Sequence, residues 1–204
     1  MAILTTRTMR LATAESCTGG LVAAALTDVP GASAAFVGSI VSYSNEVKQT
    51  SLNVCEQDLI KHGAVSKQVV LAMATGAAKA LLADIAVSVS GIAGPDGGSA
   101  NKPVGTVWIA IACKNNQCHL ANKHLASAEA LESAAVVESA AVVESAEALE
   151  SEEIVESAEA LGSAAVVDEF FTQASCFHFL GSREDIRSQA VQSALEMLVA
   201  IIDN

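Results

Sequence analysis

Between Ala126 and Val167 the chain repeats itself every six residues, a period that suits no amphipathic element. The segment reads ASAEAL, ESAAVV, ESAAVV, ESAEAL, ESEEIV, ESAEAL, GSAAVV, which is seven units and 42 residues. On a helix six residues turn by about 600°, so successive apolar pairs step round by about 240° and form no single stripe. On a strand each pair puts one apolar residue on either side. A hexapeptide β-helix has this period, but seven units would make little more than two coils, and the usual glycine punctuation is missing. Ala, Glu and Leu favour helix where anything forms. The expectation is an exposed insertion over 126–167, marginally helical or disordered, tolerated in a surface connection or serving as an acidic tether. Residues 1–125 and 168–204 then form one domain around it.

The repeat also accounts for the acidity of the chain. The formal net charge is −12, yet the repeat alone holds ten Glu and no Asp, Lys or Arg, leaving 13 acidic and 11 basic residues elsewhere. This balance argues against a nucleic-acid partner. Apolar residues make up 51% of the 204, and aromatics only 3%, so the core must be built of Ala, Val, Leu and Ile. No apolar run reaches the roughly 18 residues of a membrane span, and the N-terminus carries no apolar stretch of signal-peptide length. A soluble, cytoplasmic protein without a membrane partner is expected. Five cysteines, an odd number, are spread without a metal or redox spacing, and His62, His119, His124 and His178 are scattered, so neither a metal nor a redox centre is expected.

Outside the repeat, strand and helix patterns alternate. Strands are expected at Met9–Ala14, Ala35–Ser42, Ile85–Ser90, Gly105–Cys113 and Ser175–Leu180. Helices are expected at Gly20–Leu26, Asn45–Leu52, Cys55–His62, Ser66–Leu82 and Ser182–Ile202. The Ser66 helix has a capping serine and a stripe of Val69, Val70, Met73, Ala77 and Leu81. Such alternation implies an α/β sandwich with helices on both faces of a sheet.

Four segments could carry chemistry. Ala14-Glu15-Ser16-Cys17-Thr18-Gly19-Gly20 joins a strand to a helix, and its small residues offer backbone N–H groups to an anion such as phosphate. It lacks a Walker lysine and a G-x-G-x-x-G spacing. Ser90 to Gly98 (SGIAGPDGG) follows a buried strand, where open α/β sheets bind ligands; Ser90, Gly91 and Gly94 would let a ligand approach the backbone. Tyr43, the only tyrosine, stands five residues before Lys48, and a lysine at a helix start has its pKa lowered and could serve as base for a serine. Arg183 opens the last helix against the dipole, as a residue kept for an anion would.

Taken together these residues resemble the CinA C-terminal domain family. The resemblance rests on LATAESCTGGLVAAALTDVPGASAAFVGSIVSYSNEVK (Leu11–Lys48), HGAVS (His62–Ser66), SGIAGPDGG (Ser90–Gly98), KPVGTVWIAIA (Lys102–Ala112) and FLGSREDIR (Phe179–Arg187). It implies a three-layer α/β/α sandwich. It also implies hydrolysis of the carboxamide of nicotinamide mononucleotide to nicotinic acid mononucleotide and ammonia, without cofactor or metal, in pyridine-nucleotide salvage by a homo-oligomer. The pocket residues it implies are Ser16, Thr18, Gly19, Ser33, Tyr43, Lys48, Ser90, Gly91 and Arg183. With Gly20 and Gly94 added from the two glycine-rich turns, catalysis is expected from Ser16, Lys48, Tyr43 and Ser33, and substrate binding from Thr18, Gly19, Gly20, Ser90, Gly91, Gly94 and Arg183. Either Ser16 or Ser33 could be the nucleophile; Ser16 comes first because it lies in a strand-to-helix turn. Three departures stand out: only eight residues precede Met9 where the family has a full helix, Ser90 replaces a usual Thr, and the repeat is foreign. They support a second reading, an inactive remnant that binds a nucleotide or a partner.

Overall fold

The computed structural model describes residues 1–115, 117, 165–167 and 169–203. The expectation for the repeat falls outside them, apart from its last three residues.

The elements, in chain order, are α1 (Ala2–Thr6), β1 (Leu11–Glu15), α2 (Leu21–Thr27), a 3-10 turn (Ala32–Ala34), β2 (Phe36–Val41), α3 (Asn45–Leu52), α4 (Glu56–His62) and α5 (Lys67–Ala80), then β3 (Ile85–Gly91), β4 (Thr106–Lys114), β5 (Ala165–Val167), β6 (Phe170–His178) and α6 (Arg183–Ile202). The helix before the first strand is thus a five-residue α1. One strand expectation and the end of the expected insertion need correction. The last long strand begins at Phe170, five residues before the expected start, and Ala165–Val167 of the repeat form a strand paired with it, Val166 opposite Phe171. Both Phe170 and Phe171 are buried, one on each face, so the strand lacks the alternation that marks a half-exposed one.

The six strands run in the order β2-β1-β3-β4-β6-β5. β1 is parallel to both β2 and β3; the pairs beyond β3 are antiparallel. From β1 the chain goes to one side, to β2, and then crosses back over β1 to β3. The strand order reverses there, and the carboxyl ends of β1 and β3 frame a crevice, the usual ligand position in open α/β sheets.

Period-two alternation gives the sheet two unlike faces. Leu11, Ile85, Val87, Val89, Val107, Ile109 and Ile111 point to one face, where they meet Leu4 of α1, Val22 and Leu26 of α2, and Ile186, Ala190, Ala194 and Leu198 of α6. Ala12, Ala14, Ala86, Ala110 and Ala112 point to the other, beneath Leu52, Leu59, Val69, Val70, Met73 and Ala77 of α3–α5. Helices cover both faces, as the three-layer expectation requires. Among the described residues no helix is long and apolar enough to cross a membrane.

The alanine face lets α5 lie close to the sheet, and Gly76 lets α3 lie close to α5. A Cβ at Gly76 would overlap the Leu52 carbonyl at the end of α3. Alanine in a helix interior is ordinarily favoured over glycine by about 1 kcal/mol. A clash between two backbones costs more than that, so the sign reverses: Gly76→Ala is expected to destabilise the fold by about 2 kcal/mol, read as a lower urea midpoint at unchanged slope.

Candidate active site

The site begins with a buried acid. Glu15, at the end of β1, is 0% exposed. Its carboxylate accepts the backbone N–H groups of Gly20 (2.9 Å), Val22 (3.1 Å) and Ala23 (2.8 Å). These are the orphan donors of α2, whose N-cap, Gly20, has no side chain to satisfy them. Gly19 and Gly20 take φ of +62° and +101°, which brings the helix start back onto the carboxylate. The expectation of an open anion site in this turn is therefore corrected. The positive end of α2 is already occupied by the protein's own anion.

Ser16 follows directly. Its backbone N–H donates to Val89 O of β3 at 2.9 Å, which holds it beside the carboxyl ends of the two central strands. Across from it, Ser44 caps α3 by accepting the Val47 N–H, and α3 delivers Lys48 inward. Lys48 is 1% exposed. Its Nζ donates to Ser42 O at 2.7 Å and Tyr43 O at 3.3 Å, and lies 3.0 Å from Ser16 Oγ. The geometry suits both protonation states. The ammonium has three donors for three acceptors; the neutral amine keeps two N–H groups on the carbonyls and turns its lone pair to the Ser16 hydroxyl. Burial pushes Lys48 down to about 8. Loss of solvent, not the helix dipole invoked from sequence, is the main cause.

Ser16 and Lys48 stand on the wall of a cleft of about 260 Å³, which Tyr43, Ser90, Gly91, Gly94 and Arg183 also line. Ser90 Oγ donates to Ala64 O at 2.8 Å, tying the end of β3 to the loop before α5. Arg183 crosses the mouth: Nη1 donates to Gly94 O at 2.7 Å and Nη2 reaches Tyr43 Oη at 3.4 Å. Tyr43 is 66% exposed, with its hydroxyl toward Arg183, so only its carbonyl touches the Ser16–Lys48 pair. Cys17 lines the cleft beside Ser16, but burial pushes its thiol up to about 11, which keeps it protonated at neutral pH.

Four expected residues lie outside the lining of the cleft. Thr18 is fully buried, and Gly19 and Gly20 serve the turn. Ser33 sits, exposed, in the 3-10 turn before β2. Because β1 and β2 run parallel with Leu11 opposite Phe36, Ser33 lies at the edge where β1 begins and Ser16 at the edge where it ends. Five residues of strand separate the two, about 17 Å. Of the two candidate serines, Ser16 is the one that meets Lys48. Sequence reasoning passed over Glu15 and Arg187. The signal for Glu15 was an acid closing an apolar strand five residues before Gly20; for Arg187 it was a second arginine one helical turn after Arg183. Among the described residues no group of three His, Cys, Asp or Glu side chains converges as a metal site would need.

The α/β/α sandwich is of the open α/β class, and its polar cleft lies where the strand order reverses, the place where sheets of that class hold ligands. The particular family follows from comparison: residues 1–150 match the CinA C-terminal domain, and the chain belongs to that family. It is 59% identical over 109 residues to the nicotinamide-nucleotide amidohydrolase PncC of Escherichia coli K12, an overlap of 53% of this chain and 66% of that protein. It is 53% identical over 124 residues to a CinA-like protein of Prochlorococcus marinus MIT 9301, covering 61% of this chain and 29% of the relative. The chain thus spans less than two thirds of the length of either. The crystal structure of the competence/damage inducible protein CihA from Agrobacterium tumefaciens superimposes with a TM-score of 0.70 at 32% identity, over 100% of this chain and 90% of that one.

The lowered Lys48 pKa carries a stability signature. Well below pH 8 the lysine is charged in both folded and unfolded chains, and its burial weighs fully against folding. Between about 8 and its ordinary 10.5 the folded chain sheds the proton first, the unfolded chain binds more protons, and stability rises with pH. Urea unfolding of wild type against Lys48→Met, which has no such proton, should show wild type gaining on the variant across that window and not below it.

Proposed function

We propose that this protein is an amidohydrolase that converts nicotinamide mononucleotide to nicotinic acid mononucleotide and ammonia, with Ser16 as nucleophile and Lys48 as its base. The observation that carries this reading is the buried Lys48 amine 3.0 Å from Ser16 Oγ. The PncC relatives, named for the same activity, support the choice of substrate.

A serine hydroxyl is a weak nucleophile until a neighbour takes its proton. An amine with a pKa near 8 is neutral in a useful fraction of molecules at physiological pH, and its conjugate acid still gives a proton up. In the first half-reaction Ser16 Oγ bonds to the carboxamide carbon while its proton passes to Lys48 Nζ. The tetrahedral adduct then breaks its C–N bond, Lys48 returns the proton to the departing nitrogen, and ammonia leaves behind a seryl ester. In the second, water attacks that ester, its proton going to Lys48; Lys48 passes that proton to Ser16 Oγ as the Ser16–carbonyl bond breaks, and the acid released ionises to the carboxylate. Desolvation of Lys48 makes the amine available without an acid partner. Arg183 at the mouth supplies the cation for the phosphate, since the start of α2 is filled by Glu15.

Ammonia release from nicotinamide mononucleotide is the test. Wild type should turn over, with kcat/KM rising about tenfold per pH unit below a midpoint near 8. Ser16→Ala and Lys48→Ala should each lose about a thousandfold or more in kcat with the fold intact. A well-folded wild type that releases no ammonia refutes the amidase and leaves the inactive remnant.

A further inference from the structure

The second guanidinium of α6 does not line the cleft. Arg187 lies one helical turn beyond Arg183, so the two share a face of the helix. Arg183 closes the mouth of the site; Arg187 reaches beneath it. Its Nε donates to Cys17 O at 3.1 Å and its Nη2 to Thr18 O at 2.9 Å. Among the described residues no carboxylate lies within ion-pair distance of it. A full positive charge, half-buried, is thus committed to two main-chain carbonyls, and these belong to the two residues that follow Ser16.

We propose that Arg187 is a positioning residue, whose clamp on the Cys17 and Thr18 carbonyls keeps Ser16 in register with Lys48; this rests on reading Ser16 as the nucleophile. Three observations support it. The planar fork bonds to consecutive carbonyls and so fixes two peptide planes together, which a lysine, a point charge, cannot do. In a trans peptide the following N–H points opposite to the carbonyl, so the clamp also sets the Thr18 and Gly19 N–H directions; the Gly19 N–H closes the turn on Ser16 O at 3.1 Å. Finally, Glu15 holds the same turn from the other polarity, through the N–H groups of Gly20, Val22 and Ala23. Ser16 thus stands at the head of a turn gripped by an anion on its amides and a cation on its carbonyls. Its partner Lys48 comes from another element, so nothing local restores their 3.0 Å separation once the turn shifts. Docking of α6 needs no help from Arg187, because Ile186, Ala190, Ala194 and Leu198 are buried against the sheet.

The test reads Ser16 reactivity without the nucleotide. Diisopropyl fluorophosphate labels an activated serine: the Oγ–P bond forms, the P–F bond breaks, fluoride leaves and the hydroxyl proton passes to the base. The labelling rate of Ser16, located by peptide mass, is compared in full-length wild type, Arg187→Ala, Arg187→Lys and Lys48→Ala, each checked for folding by its thermal transition. Arg187→Ala should label about a hundredfold more slowly, and guanidinium at sub-denaturing concentration should restore much of its rate while leaving Lys48→Ala unchanged. Arg187→Lys keeps the charge and most of the stem, provides for the case in which the alanine variant fails to fold, and should still be at least about tenfold slow. Wild-type rates in folded Arg187→Ala or in Arg187→Lys, or a loss that guanidinium does not rescue, overturn the proposal. Rapid wild-type labelling without ammonia release would refute the amidase and leave the clamp standing; absent wild-type labelling would overturn both.

Discussion

The structure of this site depends on where one carboxylate is buried. An acid removed from water at the end of a central strand is costly unless its oxygens are met by donors. Here they are met by three amides of the next helix, which themselves would otherwise go unsatisfied. Each set of groups requires the other, so the turn from β1 into α2 is confined to one path. Ser16 is the first residue on that path, and its position is inherited from this mutual satisfaction.

The opposite wall is organised by a different economy of space. Lys48 is carried to full burial by a short helix that can reach inward only because its neighbours are small. Gly76 admits the end of α3, and the alanines of β1, β3 and β4 admit α5. The carbonyls of Ser42 and Tyr43, freed from the sheet where β2 ends, then become the acceptors that the amine needs. A perturbed lysine is thus the outcome of alanine content, one glycine and the point at which an edge strand stops. No single one of these would produce it.

Much of this was legible in the sequence. Capping serines, apolar stripes and β-branched runs gave the central strands and the long helices to within a residue or two, and the motifs around Ser16, Lys48, Ser90 and Arg183 do meet at one cleft. The misreadings have specific causes. Ser33 looked comparable to Ser16 because linear order says nothing about which end of a parallel pair a residue occupies. Phe170–Ala174 lacked alternation because that stretch is covered on both faces. The start of α2 looked open to phosphate because a Gly-Gly turn advertises its amides, while the acid that fills them sits five residues earlier, inside a strand that otherwise reads as apolar. Arg187 was hidden because its partners are main-chain oxygens 169 and 170 positions away, which no side-chain pattern encodes.

The unlike faces of the sheet also set how this sequence can drift. On the face of Leu, Ile and Val, a smaller residue leaves a void whose cost grows with its volume, and partial collapse of the surroundings softens the loss. On the face of alanines there is almost nothing to remove, and any added methylene must push a helix away from the sheet. One side of the domain therefore tolerates graded erosion, while the other has no intermediate steps. The helices stacked on the intolerant side include the one that carries the lysine, so changes there would reach the chemistry before they reached the fold.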